Sequence, residues 1–221
     1  MDVTPLRLSL QVALVSTLLS MAAGLPLAWW LSRRRAQTRA VLSSLVLVPM
    51  LLPPTVLGYY LLAAVGRDSP LGGALDRLFG FTLVFHWSGA VLAAFVVSAP
   101  FLVRAAQAGF EGVDRLHEEA AAVAGASPLS IFLRISVPLA WPAIAAGIAM
   151  SLARALGEFG ATLMVAGSVP GRTQTLSIAI YEAVQAGRMD DAQAMALTLA
   201  AVTMGLLLAV SSLGGARWWR R

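Results

Sequence analysis

The sequence predicts an all-α protein that crosses a membrane about five times, with residues 1–221 forming one domain. Hydrophobic residues make up 58% of the chain and charged residues only 12%, and the charged share of a soluble domain is about 25%. A helix that spans the bilayer core needs about 20 consecutive, mostly apolar residues. Five segments meet that requirement: 8–31, 41–65, 83–103, 138–156 and 192–215. The first is too long for the apolar region of a signal peptide.

The positions of the arginines predict the orientation of the chain. All sixteen basic residues are Arg, and the net charge is +5. Five lie on one side of the five predicted segments, one lies within a segment, and ten lie on the other side: Arg33, Arg34, Arg35, Arg39, Arg104, Arg115, Arg134, Arg217, Arg220 and Arg221. The positive-inside rule places this richer side in the cytoplasm, with the N-terminus outside and the C-terminus inside. Membrane topology therefore accounts for the basic charge without a nucleic-acid partner.

The composition also excludes several kinds of chemistry. Without Cys there are no disulfides and no thiolate metal sites. Without Lys there is no G-x-x-x-x-G-K-[ST] phosphate loop, so we expect the chain to bind no ATP, metal or other cofactor itself. An intramembrane enzyme would need paired carboxylates, H-E-x-x-H, or a Ser with a base in the spans. The predicted spans contain none of these.

A patterned, partly polar loop, about 111–137, separates the third and fourth predicted spans. Asp114 is a predicted N-cap, Gly125 suits the left-handed position that ends a helix, and Ser127-Pro128 starts a second helix. Pro138 suits the opening of the next span. The pattern predicts two short helices at an angle. Leu116, Ala120 and Val123 share one face of the first, which would suit either a partner's groove or the lipid headgroups.

The stretch EAAAVAGASPLSIFLRISVP, residues 119–138, resembles the EAA loop of ABC-importer permeases. Val137 stands where that pattern usually has Leu. The resemblance implies a type I ABC importer permease fold, in which this loop forms a coupling helix that docks on a separate cytoplasmic ATPase. The coupling residues that it implies are Glu119, Ala120, Ala121, Gly125, Ile135 and Pro138. A membrane anchor without transport would not need such a loop.

Two further stretches resemble the molybdate permease branch of that family. They are LVPMLLPPTVLG, residues 47–58, and ARALGEFGATLMVAGSVPGRTQTLSIAIYEAV, residues 153–184. The resemblance implies a subunit of a molybdate importer in the bacterial inner membrane. Its partners would be a second copy of the chain, two ATPase subunits that use ATP and Mg²⁺, and a periplasmic or lipid-anchored molybdate-binding protein. The alternative is a sulfate/thiosulfate or tungstate permease of the same family.

The same stretches contain the candidates for a gate or passage: Arg154, Gly157, Glu158, Gly160, Pro53, Pro54 and Arg172. Arg154 and Glu158 are spaced to pair on one helix face, as a gate or as a structural pair. Gly157 and Gly160 suit a hinge or close packing against the second copy. The prolines break the second span as a packed kink or as a bend that lines the passage. Arg172, in the predicted outer loop of about 157–191, meets the oxyanion or the binding protein, or is simply solvated.

Two other features of these regions have predicted structural roles. The run 161–169 in the outer loop is too short to span, so it would dip back into the protein or line a cavity. His86, Trp29, Trp30, Trp218 and Trp219 read as residues of the membrane interface.

Overall fold

The computed structural model describes residues 2–215, and helices are the regular secondary structure of this part of the chain, in which no strand occurs. Trp218 and Trp219, together with Arg217, Arg220 and Arg221, lie outside these residues. The elements follow in this order: α1 Thr4–Ser32, α2 Ala36–Leu51, α3 Pro54–Val65, α4 Pro70–Phe79, α5 Trp87–Glu111, α6 Arg115–Val123, α7 Pro128–Ile131, the π-helical turn η1 Phe132–Ser136, α8 Val137–Leu139, α9 Trp141–Leu156, α10 Gly160–Ala166, α11 Leu176–Gln185 and α12 Met189–Gly215.

Small residues bring α1, α5 and α9 together at the centre of the bundle. Along α1, buried residues at a spacing of four form a stripe: Ser16, Ser20, Gly24 and Ala28. A Cβ atom on Gly24 would lie 3.0 Å from Val103 Cγ2, and one on Gly109 would lie 2.7 Å from Ala143 Cβ. Small side chains of this kind let helix backbones approach closely in a bilayer, where van der Waals packing drives association.

Three of the predicted spans are single helices. α1, α5 and residues 189–212 of α12 are each long and apolar enough to cross a bilayer. α5 begins at Trp87, four residues later than the predicted segment, because His86 caps it, and it continues to Glu111. The other two spans are broken helix pairs, which brings the total to the five predicted.

The second predicted span is broken by its prolines rather than kinked by them. α3 turns 104° from α2. Pro49 stays inside α2, whereas Leu52 and Pro53, which each precede a proline, have extended ψ angles of 141° and 136°. A proline ring pushes the residue before it out of the α region. Two such residues in succession end one helix, and Pro54 starts the next without needing an N–H donor.

The fourth predicted span begins three residues later than Pro138. α9 starts at Trp141, after a break at Ala140, and the preceding segment, Pro128–Leu139, lies at 81° to it. Pro138 is inside that segment, two residues after the last residue of the π turn η1. The proline ring would press on the carbonyl of Arg134 one turn earlier, and the wider turn makes room for it.

The junction of α3 and α10 gives a test of the packing. A Cβ atom on Gly58 would lie 2.7 Å from Met164 Cβ and 2.8 Å from Ala161 Cα. Because backbone would have to shift, we expect Gly58→Ala to lower the free energy of unfolding by about 1–3 kcal/mol. The control is Gly205→Ala on α12, where nothing lies within 4 Å of the added atom. Thermal unfolding of both purified variants measures the difference, and equal midpoints would contradict this account of the junction.

Candidate functional site

The loop 111–137 folds as two capped helices, as its sequence predicts. The Asp114 carboxylate accepts a hydrogen bond from the backbone N–H of Leu116 at 3.0 Å and so starts α6. Gly125 has φ of +86°, a left-handed conformation that strains any other residue. The Ser127 hydroxyl then accepts from the N–H of Ser130 at 3.3 Å and starts α7. The local sequence therefore accounts for the sharp turn between the two helices.

One face of α6 is an exposed apolar surface. None of the residues Arg115–Val123 is buried, and Leu116 and Val123 are 67% and 92% exposed. Glu119 and Ala120 share that face by their helical spacing, and both are exposed. We call Leu116, Glu119, Ala120 and Val123 the docking face. Such a surface on a short helix suits a groove in another protein.

The other residues that the resemblance implies for coupling lie around this face and beyond it. Ala121 is half-buried on the opposite side of α6, and Gly125 is exposed at the turn. Ile135 is half-buried within η1, and Pro138 is exposed within α8. The structure therefore brings Glu119 and Ala120 together on the docking face and places Ile135 and Pro138 in the segment that leads to α9.

A polar cluster that the sequence analysis missed lies on the other side of α6. Arg33 Nε donates to Glu118 Oε2 at 2.8 Å, and Arg33 Nη2 pairs with Glu118 Oε1. The Ser136 hydroxyl donates to Glu118 Oε1 at 2.5 Å and accepts from Trp29 Nε1 at 3.1 Å. We call Glu118, Arg33, Ser136 and Trp29 the Glu118 cluster. It joins α6 to the end of α1 and to η1.

The Glu118 cluster is itself fixed to the bundle. Arg33 Nη1 donates to the backbone carbonyl of Phe110, near the end of α5, at 3.1 Å. The ring of Phe132, in η1, lies 5.4 Å from the Trp29 ring and 6.0 Å from the Phe110 ring, measured between centroids. Arg33 therefore connects α6 to the ends of α1 and α5, and the aromatic contacts of Phe132 connect η1 to the same two helix ends.

The Glu118 carboxylate should make stability depend on pH. Partial burial alone would raise its pKa, but hydrogen bonds from Arg33 and Ser136 outweigh burial and hold the pKa below its ordinary value of 4.5. A lowered folded pKa stabilises the folded chain above the unfolded pKa, and that contribution is lost as the pH falls through the folded pKa. We expect the unfolding midpoint of the wild type to fall more steeply between about pH 6 and pH 3 than that of Glu118→Gln. If the unfolding midpoints of the two proteins fell in parallel with pH, Glu118 would make no such contribution.

Arg154 and Glu158 form the predicted pair. Arg154 Nη2 lies 2.8 Å from Glu158 Oε2, and the side chains are 28% and 1% exposed. Glu158 Oε1 also accepts from the backbone N–H of Ala161 at 2.8 Å, in the first turn of α10. Glu158 therefore links the end of α9 to the start of α10. One oxygen of the Glu158 carboxylate thus contacts Arg154 of α9, and the other accepts from the Ala161 N–H of α10.

Gly160 packs closely, but against this chain. A Cβ atom on Gly160 would lie 3.0 Å from Pro54 Cβ and 3.2 Å from the backbone nitrogen of Thr55. Gly157 ends α9 and would have only its own helix nearby, with Ala153 O at 3.7 Å. The close packing of Gly160 is therefore made within this chain, and packing of Gly157 against a second copy stays a prediction. The contact at Gly160 brings two of the candidate gate or passage residues, Pro54 and Gly160, together.

Most of the short apolar run 161–169 lies in the helix α10, Gly160–Ala166. Its residues Gly160, Ala161, Thr162, Val165 and Ala166 are buried, and the helix packs on α3 and α5. On its other side α3 exposes Val56 by 38% and Tyr59 and Tyr60 by 59% each. The run thus folds back into the protein and supports one side of α3, while the tyrosine-bearing side remains uncovered within this chain.

Arg172 lies apart from the Arg154–Glu158 pair. It lines a cavity of about 340 Å³ together with Arg7, Gln11 and His86, at the end of the bundle opposite α6. His86 caps α5: its Nδ1 accepts from the backbone N–H of Ser88 at 3.3 Å. Within residues 2–215, no group of three or more His, Asp or Glu side chains is placed to hold a metal ion.

The comparisons with known proteins agree on one family. Residues 20–218 match the family described as the inner membrane component of binding-protein-dependent transport systems. YvgM, a putative molybdenum transport system permease protein of Bacillus subtilis (strain 168), is 41% identical over 92% of this chain and 90% of its own length. ModB, the molybdenum transport system permease protein of Escherichia coli (strain K12), is 40% identical over 91% and 89%. ModB of Haemophilus influenzae is 37% identical over 94% and 90%.

Solved structures show the same fold at low identity. A chain of the methionine ABC transporter MetNI, in inward-facing conformations, superposes with a TM-score of 0.75 at 18% identity, covering 97% of this chain and 94% of that one. A chain of a bacterial alginate ABC transporter, crystallised with an alginate-bound periplasmic protein, gives 0.74 at 17% identity, covering 97% and 78%.

Five membrane segments, two of them broken, and an exposed helix between the third and the fourth define a multi-pass permease with the type I ABC importer fold. The chain belongs to the family of inner membrane components of binding-protein-dependent transport systems.

Proposed function

We propose that this chain is the membrane-spanning subunit of an ATP-driven importer that carries molybdate into the cytoplasm. The proposal rests on the similarity to relatives named for molybdenum transport, which are 37–41% identical over about nine-tenths of the chain. The exposed docking face on α6 agrees with it. The substrate comes from the names of these relatives, which favour molybdate over the sulfate, thiosulfate or tungstate alternative. The transport role comes from the family, whose members are inner membrane components of binding-protein-dependent transport systems.

The energy source is a separate ATPase that binds the docking face. The chain has no Lys and so cannot form the usual phosphate-binding loop for ATP and Mg²⁺. Leu116 and Val123 expose most of their apolar surface, which a groove in the ATPase would cover. Two copies of the permease, each with one ATPase, complete the membrane part of the transporter. A periplasmic or lipid-anchored molybdate-binding protein would deliver the anion at the opposite end.

The end of the bundle that carries α6 faces the cytoplasm. It holds seven of the described arginines: Arg33, Arg34, Arg35, Arg39, Arg104, Arg115 and Arg134. The opposite end holds Arg7, Arg67, Arg77, Arg172 and Arg188. The excess at the α6 end supports a cytoplasmic position for it, since Lys and Arg concentrate in cytoplasmic loops. The N-terminus then lies outside, and α12 runs toward the cytoplasm.

The exposed side of α3 is our candidate for the wall of the passage. It lies next to the break at Pro53 and Pro54, and irregular backbone at membrane depth is tolerated where it is buried in protein or lines a water-filled cavity. α10 packs on the side of α3 away from the exposed tyrosines, and Gly58 and Gly160 allow the two helices to approach closely. Tyr59 and Tyr60 present hydroxyl donors on the uncovered side, where the second copy would close the passage.

The test is ATP hydrolysis by the reconstituted complex of the chain, its ATPase and its binding protein. Molybdate-loaded binding protein should stimulate hydrolysis, and unloaded binding protein or added sulfate should not. Tungstate, a tetrahedral dianion of the same kind, should act as molybdate does. Stimulation by sulfate with none by molybdate would move the substrate to the alternative branch. A rate of ATP hydrolysis that is the same with and without the binding protein would contradict the assignment as an importer.

A further inference from the structure

We propose that the adjacent carboxylates of α6 have separate tasks, in which Glu118 is a positioning residue that fixes the coupling helix to the bundle while Glu119 contacts the ATPase. The inference rests on the proposed function and assigns the path by which a displacement of α6 reaches the membrane helices. That path runs through the Glu118 cluster to the ends of α1 and α5 and to η1.

The two carboxylates point in different directions. Neighbouring residues on a helix are separated by about 100° around its axis, so Glu119 falls among Leu116, Ala120 and Val123 while Glu118 falls beside Ala121. The burial agrees, since Glu119 is exposed and the Glu118 side chain is only 11% exposed. A partner that covers the docking face can therefore reach Glu119 without disturbing Glu118.

Little besides Glu118 holds α6 in place. None of the residues of Arg115–Val123 is buried, so the helix has no buried apolar side chain to pack it on the bundle. Isolated helices shorter than about 12–15 residues are marginal in water, and α6 has only nine residues. Glu118 is therefore the residue of α6 whose hydrogen bonds reach α1 and η1.

The contacts of Glu118 are of the strong, directional kind. Arg33 approaches the carboxylate with two nitrogens, Nε and Nη2, and a forked guanidinium contact fixes angle as well as distance. Ser136 adds a hydrogen bond from η1 at 2.5 Å. Because Arg33 also donates to the Phe110 carbonyl, a displacement of α6 acts at once on α1, α5 and η1. Glutamine at position 118 keeps the shape but removes the charge, so the fork is weakened.

The experiment compares Glu118→Gln with its matched control, Glu119→Gln, in the complex with ATPase and binding protein reconstituted in vesicles. The readouts are ATPase association and the oxyanion imported per ATP hydrolysed, both relative to the wild type. Glu118→Gln should leave association within about twofold and lower import per ATP by about fivefold or more, at the lower end of the usual range of coupling between sites. Glu119→Gln should weaken association, while the complexes that do form keep the wild-type ratio. A normal ratio for Glu118→Gln, or the same pattern for both variants, would overturn the proposal.

A double-variant cycle separates a positioning role from a general loss of stability. Arg33→Lys keeps the charge without the fork, so it should lower the ratio less than Arg33→Ala. The double variant Arg33→Ala/Glu118→Gln should be no worse than the more affected single variant, because both changes break the same contact. If the double variant lowered the ratio by the product of the two single effects, Arg33 and Glu118 would act independently. That result would contradict the cluster as one unit.

A measurement without transport keeps this inference distinguishable from the proposed function. Arg115 is an exposed trypsin site within α6, and cleavage there requires α6 to open locally. In the purified chain, Glu118→Gln should raise the rate of cleavage after Arg115 severalfold, and Glu119→Gln should leave it unchanged. Equal rates would overturn the role of Glu118 even in an active importer. An inactive wild type with the expected cleavage pattern would count against the importer alone.

Discussion

Replacing Glu158 by Ala should lower the free energy of unfolding by about 3–5 kcal/mol, the usual effect of removing one partner from a buried ion pair. The substitution leaves the Arg154 guanidinium without its carboxylate and the N–H of Ala161 without its acceptor. Glu158→Gln should have a smaller effect, because an amide oxygen can still accept from Ala161. The measurement is chemical or thermal unfolding of the purified chain in detergent, beside uptake by the same variants.

The two assays together decide between the two roles predicted for the pair. A structural role predicts that uptake falls with stability, and that Arg154→Ala/Glu158→Ala loses less than the two single changes combined. A gate predicts that Glu158→Gln unfolds like the wild type but no longer transports. Since Glu158 holds α10 against α9 and its side chain is 1% exposed, we expect the structural result. Full stability of Glu158→Ala would contradict it.

Replacing Val123 by Asp should abolish uptake by preventing the ATPase from binding. Val123 is 92% exposed at the C-terminal end of the docking face, so a charge there costs the isolated chain little but meets an apolar groove in the complex. Losing a hot-spot contact costs an interface about 2 kcal/mol or more, and a buried unpaired charge acts in the same direction, so we expect association to weaken by about 30-fold or more. Glu119→Lys should act in the same direction. Co-purification of the ATPase and its titration against the reconstituted chain provide the measurement.

The control for this prediction is the same change at the other end of the molecule. Leu78, on α4, is 75% exposed, and Leu78→Asp should leave ATPase association at the wild-type level. Both variants should insert into the membrane at normal levels, because neither side chain packs in the core. Normal association of Val123→Asp would show that α6 is not the docking element.

The sequence predicted the local features of this fold well because their causes are local. Asp114, Gly125 and Ser127 cap or end the helices of the 111–137 loop as expected, since each acts on backbone groups within a few residues. The long apolar helices followed from length and hydrophobicity alone. The prolines at 53 and 54 predicted a break, but not the 104° turn that follows it, because the direction of α3 is set by its packing on α10.

The contacts between distant residues could not be predicted in this way. Glu118 and Glu119 are adjacent and chemically identical, so only the folded chain shows that one faces Arg33 and the other faces out. Gly160 was expected to flex or to pack against a second copy, yet its neighbours are Pro54 and Thr55 of the same chain. Their positions depend on how α10 folds back, which no short stretch of sequence determines.

The most direct test of the account is uptake of labelled molybdate by vesicles that contain this chain, its ATPase and its binding protein. We predict uptake that requires ATP inside and binding protein outside, is blocked by tungstate, is unaffected by sulfate, and disappears with Val123→Asp. Uptake without ATP, or undiminished uptake by Val123→Asp, would contradict the coupling through α6. Transport of sulfate in place of molybdate would leave the fold and the coupling helix as described and would overturn the substrate.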